Sequence, residues 1–332
     1  MANEEKHYGW GLIGPGRFAE EFVEELSRLD RVTLTAVASR SSEKAAAFAE
    51  RFGFQTPYHS YEALVKDPQI DIVYIAVPHA FHREVAELAL NAGKAVLCEK
   101  PLTAALEDTQ ALIQLAREKG AFLMEALKTA FLPVVGQAKQ WIDSGRIGVP
   151  KLATAHFCFS GPGDPDDRLM NPALGGGAVL DVGIYPIHLT HRLLGRIQRI
   201  DATGILSPTG VEESVSMIAQ HQSGASSAMT CSFNSAESMD ASILGTEGEV
   251  RLPKFHTGAE ALLVKDGEII DSVRDTSGGM VSAEIRGVME ALDRGLTESP
   301  HHPLDDSLYL AELMTSVIEQ VKGQGPTKQL NS

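Results

Sequence analysis

The most constraining feature of the sequence is a glycine-rich turn between a short apolar run and a helical pattern. The run Trp10–Ile13 has the length of a buried strand, and the sequence GPGRFA follows at residues 14–19. Gly14 permits the turn, Gly16 leaves room for a phosphate near the backbone, and Ala19 allows close packing of helix on strand. This order is typical of dinucleotide binding at a helix N-terminus, although an ordinary strand–helix turn can look the same.

The first 125 residues alternate short apolar segments with helical patterns. Five segments are predicted as strands: Trp10–Ile13, Val32–Ala38, Ile70–Ala76, Ala95–Cys98 and Ala121–Met124. They lack polar alternation, as expected of strands buried on both faces of a parallel sheet. We therefore predict an α/β chain whose N-terminal domain, residues 1–126, is a Rossmann-type, doubly wound parallel sheet.

The pattern changes after residue 126. Helical patterns are predicted at 134–142, at 181–194 and twice near the end of the chain. Short strands are predicted at 151–159, 197–205, 213–221, 225–233, 241–244 and 249–252. Consecutive strands with tight connections indicate a large, mostly antiparallel sheet, so residues 127–332 are predicted to form an α+β domain for substrate binding and oligomerisation. Helices on only one face would leave the other to pair, which predicts a homodimer or higher oligomer through this sheet.

Composition excludes several classes of partner. Lys and Arg number 29 against 44 acidic residues, giving a formal charge of −15, so we expect neither nucleic acid nor an anionic membrane as a partner. The first seven residues are polar, and no stretch approaches the ~20 apolar residues of a membrane span. The separated Cys98, Cys158 and Cys231 are typical of a reducing compartment, which predicts a cytoplasmic protein. The 11 histidines show no metal-site spacing, so no metal is expected.

The residues after the second predicted strand bear on the choice of dinucleotide. An acid that would hold the adenosine ribose hydroxyl normally stands there, but the sequence ASRSS occupies residues 38–42. The guanidinium of Arg40, the hydroxyl of Ser39 and the nearby charge of Lys44 suit a 2′-phosphate. NADP is therefore favoured over NAD, which stays possible. The alternative is a solvated arginine before a helix capped by Ser41 or Ser42.

Two further strand ends carry polar residues. The sequence AVPHAFH stands at 76–82, and CEKP stands at 98–101. Ligands of open α/β sheets lie outside the carboxyl ends of the strands, so both segments are predicted to border the cofactor. Lys100 directly follows a buried strand beside Glu99, which favours a functional role over that of an ordinary exposed surface lysine.

The ordered set of motifs resembles the Gfo/Idh/MocA family of oxidoreductases along nearly the whole chain. The matching segments are residues 14–19, 76–78 with His82, 99–101, 124–126, 175–178, 181–186 and 245–248. The resemblance implies a Rossmann domain, a C-terminal sheet used in oligomers and a tightly held NAD or NADP. Tyr185 stands where inositol dehydrogenase-like members have histidine. This is similar to the branch of dimeric dihydrodiol dehydrogenases and NADP-dependent pentose dehydrogenases, which also tends to carry an arginine at the position of Arg40.

The resemblance implies a catalytic role for Lys100 and identifies Asp181 as the motif aspartate. We hypothesise that Lys100 and Tyr185 transfer the proton of the substrate hydroxyl and that Asp181, four residues from Tyr185 on a predicted helix, orients them. The predicted cofactor contacts are Gly14, Gly16, Arg17, Phe18, Ser39, Arg40, Lys44, Ala76, Val77, Pro78, His82, Glu99, Lys100 and Glu125. The predicted substrate contacts are Lys100, Arg168, Asp181, Tyr185 and His188.

The predicted function is hydride transfer between a nicotinamide and a secondary alcohol or carbonyl of a sugar, a polyol or a trans-dihydrodiol. Two alternatives stay open at this point. One is a non-catalytic protein that binds NADP and regulates a partner, against which the intact lysine, aspartate and tyrosine count. The other is a glycosidase that oxidises, eliminates and reduces again without net turnover of cofactor.

Overall fold

The computed structural model describes residues 6–275 and 279–323, so the first five residues of the polar N-terminal segment lie outside the described part. Two compact units are present. The first contains the described residues up to Phe131 together with Gly279–Leu308, and the second contains the described residues from Leu132 to Asp275 and from Tyr309 onward. The sequence predicted one boundary, between residues 126 and 127. The structural division differs because Gly279–Leu308, late in the chain, groups with the first unit.

Helices and strands alternate in the first unit and cluster in the second. The helices are α1 Arg17–Leu26, α2 Ser42–Phe52, α3 Tyr61–Val65, α4 His82–Asn91, α5 Leu106–Lys119, α6 Pro133–Asp143, α7 Ile184–Leu194, α8 Ser282–Asp293 and α9 Leu304–Gly323. Strands of the first unit are β1 Tyr8–Ile13, β2 Val32–Ala38, β3 Thr56–Tyr58, β4 Ile72–Ile75, β5 Ala95–Glu99 and β6 Leu123–Ala126. Strands of the second unit are β7 Pro150–Ser160, β8 Ile197–Leu206, β9 Glu212–His221, β10 Ser226–Ser232, β11 Asn234–Ser238, β12 Ala241–Gly245, β13 Glu249–Leu252, β14 Glu260–Lys265 and β15 Glu268–Arg274.

The first unit is built on a six-stranded parallel sheet in the order β3-β2-β1-β4-β5-β6. Its two faces are covered by separate apolar clusters. One joins Trp10 and Tyr74 to Phe22 of α1, and the other joins Val73 to Val85 of α4. Burial of both faces explains the continuous apolar runs in the sequence, and the predicted Rossmann sheet is confirmed.

The segment Gly279–Leu308 belongs to the first unit because its helix α8 completes the core there. Ile285 and Val288 of α8 are fully buried in the cluster that contains Trp10. Polar contacts add to this packing, since the hydroxyl of Tyr8 donates to Asp293 Oδ1 at 2.8 Å. An amphipathic pattern shows that one helix face is buried but does not identify the core that buries it, so the pattern provides no reason to group α8 with the first unit.

The second unit is built on a nine-stranded sheet in the order β15-β14-β13-β12-β7-β10-β9-β8, with β11 paired to β7. Neighbouring strands in this sheet run antiparallel, except for β7 and β10, which run parallel to each other. The helix α7 packs on β7 and β10, and α6 packs on β13 and β14. The predicted mostly antiparallel sheet is therefore confirmed, although β11, β14 and β15 were not predicted.

The sheet face away from the buried side chains carries small and exposed apolar residues, with the exposed charges of Asp201 and Arg251 further along the same cross-strand row. Ile218 of β9 is 63% exposed and lies opposite Ala228, which in turn lies opposite Thr154 of β7. On the neighbouring pair, Leu244 of β12 lies opposite Leu152, and both are exposed. Within the described second unit, Leu152, Ile218 and Leu244 are therefore large apolar side chains exposed on one face of the sheet.

Candidate functional site

The glycine turn after β1 has the backbone geometry that phosphate binding requires. Gly14 has φ +93°, and a Cβ added there would lie 2.8 Å from the carbonyl carbon of Ala76. Gly16 is the N-cap of α1, carries no side-chain cap and faces open space. The first N–H groups of α1 are therefore available to an anion, and the exposed Arg17 adds positive charge beside them.

The end of β2 presents two cations on an ordered turn. Ser39 is buried, and its Oγ accepts a hydrogen bond from the Ser41 N–H at 3.2 Å. Ser41 caps α2 by accepting from the Lys44 N–H at 3.2 Å, which is the capping considered in the alternative interpretation. Arg40 and Lys44 are exposed, and the Arg40 guanidinium lies 5.7 Å from the ring centroid of Phe81. The turn thus orders a pair of cations that fits a 2′-phosphate.

His82 ties together the loops that follow β4 and β5. The ring is fully buried, with Nε2 at 2.9 Å from the Val77 carbonyl oxygen and Nδ1 at 2.9 Å from the Pro101 carbonyl oxygen. Burial lowers the pKa of His82, whereas both carbonyl contacts oppose that shift. A neutral ring donates to only one of these carbonyls at a time. His82, which was predicted as a cofactor residue, therefore stabilises the loops after β4 and β5 through their backbone carbonyls.

Two buried carboxylates hold the turn that carries Lys100. Glu99 Oε1 accepts from the Tyr74 hydroxyl at 2.7 Å, and Glu99 Oε2 accepts from the Lys100 N–H at 3.2 Å. Glu125 Oε1 accepts from the Leu102 N–H at 2.8 Å, while its Oε2 lies 2.9 Å from His302 Nε2. Glu99 and Glu125 thus position the backbone on either side of Lys100. Direct contact of either carboxylate with the cofactor stays a prediction.

Charged side chains are concentrated in the interior behind this turn. Lys128, directly after β6, is only 6% exposed, and its Nζ lies 5.6 Å from the ring centroid of Phe18. Burial lowers the pKa of Lys128 and raises the pKa of Glu99, while burial together with the Glu99 charge raises the pKa of Glu284 well above its usual range. Sequence reasoning missed Lys128 and Glu284, because charged residues are ordinarily assigned to the surface. The one available signal was that Lys128 follows a buried strand at the carboxyl edge of the sheet.

The predicted substrate residues lie around the start of α7 in the second unit. Asp181 is in a π-helical turn, Val179–Gly183, and Tyr185 is in the first turn of the α-helix that follows, so the helix predicted over 181–194 is present and begins with a π turn. Such π turns are frequent at functional sites. Asp181 and Tyr185 are buried, and the ring of Tyr185 lies 5.2 Å from that of Phe157. His188, also predicted, is buried one turn further along α7.

A salt bridge joins the loop before this turn to the motif aspartate. Arg168 Nη1 lies 3.2 Å from Asp181 Oδ1, with the arginine about half exposed. The glycine run at 175–177 allows the loop to pack closely, since a Cβ on Gly176 would lie 2.6 Å from the Leu169 carbonyl oxygen. The Gly177 N–H donates to that same carbonyl at 2.9 Å. The glycine motif therefore places the Arg168 guanidinium on Asp181.

The structure brings the predicted residues together in two groups, one in each unit. The first group surrounds the carboxyl ends of β1, β2, β4 and β5, where the cofactor residues were predicted. The second group is Arg168, Asp181 and Tyr185. Across residues 6–275 and 279–323, no cluster of three or more His, Cys, Asp or Glu side chains is arranged to hold a metal ion. In the same part of the chain, no helix combines the length and hydrophobicity needed to cross a membrane.

Two family models match the chain. The model described as an oxidoreductase family with an NAD-binding Rossmann fold matches residues 8–127, and the GFO/IDH/MocA C-terminal domain matches residues 135–251. The trans-1,2-dihydrobenzene-1,2-diol dehydrogenase of Mus musculus is 34% identical over 317 residues, covering 92% of this chain and 94% of its own. The Homo sapiens protein of the same name is 33% identical over 325 residues, with coverages of 94% and 95%.

Solved structures share the whole fold. Levoglucosan dehydrogenase in complex with NADH and levoglucosan has a TM-score of 0.86 at 22% identity, covering 96% of this chain and 98% of its own. KijD10, a 3-ketoreductase from Actinomadura kijaniata in complex with NADP and TDP-benzene, has a TM-score of 0.84 at 27% identity, with coverages of 95% and 98%. The chain therefore belongs to the Gfo/Idh/MocA family of NAD(P)-dependent oxidoreductases.

Proposed function

We propose that this protein is a dehydrogenase or reductase that prefers NADP and acts on a secondary alcohol or carbonyl of a small polyhydroxylated molecule. Sugars, cyclic polyols and trans-dihydrodiols are the candidate substrates. The names of the similar proteins, which include a diol dehydrogenase and a levoglucosan dehydrogenase, support this class. The observation that carries the proposal is Lys100, which follows β5 at the ligand-binding edge of the sheet in a turn braced by buried carboxylates.

The residues at the sheet edge fit the cofactor. The uncapped N-terminus of α1 would hold the pyrophosphate, and Arg40 with Lys44 would pair with the 2′-phosphate. When bound, the nicotinamide accepts hydride from the alcohol or donates it to the carbonyl. The turn at Gly14 lets the chain pass close to Ala76 and so keeps the binding edge compact.

The proton transfer is assigned to this chain's own side chains. In the oxidative direction, Lys100 and Tyr185 bind the reacting hydroxyl oxygen and take up its proton, and in the reductive direction they return it. The orienting role in this proton transfer is assigned to Asp181, which is buried. Its Oδ1 lies 3.2 Å from Arg168 Nη1, so the guanidinium holds the carboxylate in place. General acid–base catalysis of this kind contributes about 10²–10⁴-fold to a rate.

We also propose that the chain forms a homodimer through the exposed face of the second unit's sheet. The cross-strand row of Ile218, Ala228 and Thr154, in which Ile218 is largely exposed, supports a face-to-face contact between two copies. A cytoplasmic location is proposed as well, supported by the free and buried state of Cys98 and Cys231 and tested by subcellular fractionation.

A substrate panel with a matched variant tests the function. NADP reduction is followed by nicotinamide absorbance with aldoses, cyclic polyols and trans-dihydrodiols, and each active substrate is repeated with Lys100→Met. We expect at least one substrate class to be oxidised by the wild type and the variant to lose about 10²–10⁴ of that rate. A wild type that binds NADP but oxidises or reduces nothing in the panel would contradict the proposal. So would release of an aglycone from a glycoside without net change in NADPH.

A further inference from the structure

Lys128 is a buried cation behind the turn of Lys100. It lies in the short 3₁₀ turn directly after β6, one strand away from β5, which ends at Glu99. Its Nζ is 3.7 Å from the thioether sulfur of Met280 and 5.6 Å from the ring centroid of Phe18. A lysine that is only 6% exposed costs free energy unless nearby negative charge compensates it.

The charges around Lys128 come from three different elements. Glu99 at the end of β5, Glu284 on α8 and Glu21 on α1 all attract its ammonium, whereas Lys100 repels it. Glu284 is fully buried with one oxygen lacking a hydrogen-bond partner, and its pKa is raised by burial and by the Glu99 charge. Both effects favour the neutral form of Glu284. Among the acids around Lys128, Glu99 contributes the largest attraction.

The hydrogen bonds of Glu99 favour its ionised form. One carboxylate oxygen accepts from the Tyr74 hydroxyl and the other accepts from the Lys100 N–H. A protonated carboxyl would turn one oxygen into a hydroxyl donor, which is a poorer acceptor for either group. Burial raises the pKa of Glu99, and the Tyr74 hydrogen bond together with the positive charges of Lys100 and Lys128 opposes that rise.

We propose that Lys128 is a positioning residue that keeps Glu99 ionised and thereby holds the backbone of Lys100 in its catalytic place. The inference rests on the proposed function in so far as Lys100 is catalytic. In this role Lys128 acts through Glu99. The residues that face this pair are Tyr74 on β4, Lys100 after β5, Glu284 on α8 and Glu21 on α1.

The test compares Lys128→Met with Lys128→Arg over a pH series. Without the cation, the pKa of Glu99 should rise further, so kcat of the Met variant should fall about tenfold or more at the low end of the pH series and recover as pH rises and Glu99 ionises. The Arg variant keeps the charge and should retain most of the wild-type kcat. Lys94→Met is the matched control, since Lys94 is a half-buried lysine at the opposite edge of the same sheet, bonded to the Asp67 and Ile70 carbonyls. It should leave the pH profile unchanged.

A second variant separates this role from a general loss of structure. Glu99→Gln should lower kcat, and kcat should not recover at high pH. Adding Lys128→Met to Glu99→Gln should cause little further loss of kcat, because both changes weaken the same hydrogen bond between Glu99 and the Lys100 N–H. Infrared spectra should show an extra protonated carboxyl in the Lys128→Met protein at the low end of the pH series that disappears when Glu99→Gln is added. NADPH affinity, measured by fluorescence, should stay within about threefold throughout.

The outcomes distinguish the two proposals. If Lys100→Met is inactive but Lys128→Met keeps the wild-type kcat and pH profile, Lys128 has no positioning role and the proposed function stands. A large loss of NADPH affinity in Lys128→Met would make Lys128 a cofactor ligand and overturn the inference. If Lys100→Met retains activity, the catalytic role of Lys100 in the proposed function is contradicted, whatever the result for Lys128→Met.

Discussion

The side chain of Glu25 on α1 caps the N-terminus of α8, and removing this side chain should lower the local stability of α8 in the first unit. Its Oε1 accepts from the Met280 N–H at 2.7 Å, while Oε2 accepts from the Val281 and Ser282 N–H groups at 2.9 and 2.8 Å. Oε2 also accepts from the Ser282 hydroxyl at 2.9 Å. One carboxylate therefore satisfies the first backbone N–H of α8 and the two N–H groups that precede the helix, and it opposes the positive end of the helix dipole.

The size of the effect follows from these contacts. Losing an N-cap costs about 0.5–2 kcal/mol, and leaving partly buried donors unpaired adds about 1–3 kcal/mol. Because the two terms overlap, we expect Glu25→Ala to destabilise α8 by about 2–4 kcal/mol. That corresponds to roughly thirtyfold to a thousandfold faster amide exchange in the helix, since about 1.4 kcal/mol is a factor of ten.

Hydrogen exchange resolved by peptide is the suitable assay, because a chain of two units need not unfold in a single step. Glu24→Ala is the matched control, since Glu24 is the exposed neighbour on the same helix and its loss should stay within about 0.5 kcal/mol. Unchanged protection of Ser282–Asp293 in Glu25→Ala, or equal loss in both variants, would refute the assignment of α8 to the first unit through this cap.

Three further predictions concern the cofactor, the dimer and the buried acid. Arg40→Ala should weaken NADPH binding roughly tenfold or more and NADH binding by less than about twofold in fluorescence titrations, and equal losses would contradict the 2′-phosphate role. Ile218→Lys should convert a wild-type dimer into a monomer in sedimentation experiments, and a monomeric wild type would exclude the dimer. The raised pKa of Glu284 gives the wild type stability that is full below about pH 4.5 and is lost as pH rises through the folded-state pKa. Glu284→Gln should therefore gain stability relative to the wild type as pH rises, and parallel stability curves would contradict its burial as a neutral acid.

The Rossmann half of the fold was predictable because its strands are buried on both faces. Ile72–Ile75 is an uninterrupted apolar run, and Val32–Ala38 is apolar apart from two threonines. Such runs separated by helices admit few topologies. The edge strand β3 was missed, since Thr56–Tyr58 is three residues long and contains a proline. In the second unit, β15 was missed because both Ile269 and Ile270 are exposed, so no alternation marks a buried face.

The candidate site was predictable only where a residue's place in the chain fixes its place in the fold. Gly14 and Lys100 follow strands of a parallel sheet, so both had to lie at its carboxyl edge. Lys128 also follows a strand of this sheet, but neither its burial nor that of Glu284 gave a signal in the sequence. Each is a charge whose burial depends on partners distant in sequence, and local patterns carry no information about those partners. The same holds for the Arg168–Asp181 pair, which a glycine-dependent loop contact brings together.

The single-turnover rate of hydride transfer in Lys100→Met tests the central claim most directly. With cofactor and an active substrate both saturating, the rate of change in nicotinamide absorbance reports the chemical step without product release. The account predicts a fall of about 10²–10⁴-fold while NADPH affinity stays within about twofold of the wild type. A single-turnover rate within a few-fold of the wild type would show that proton transfer does not depend on the Lys100 ammonium.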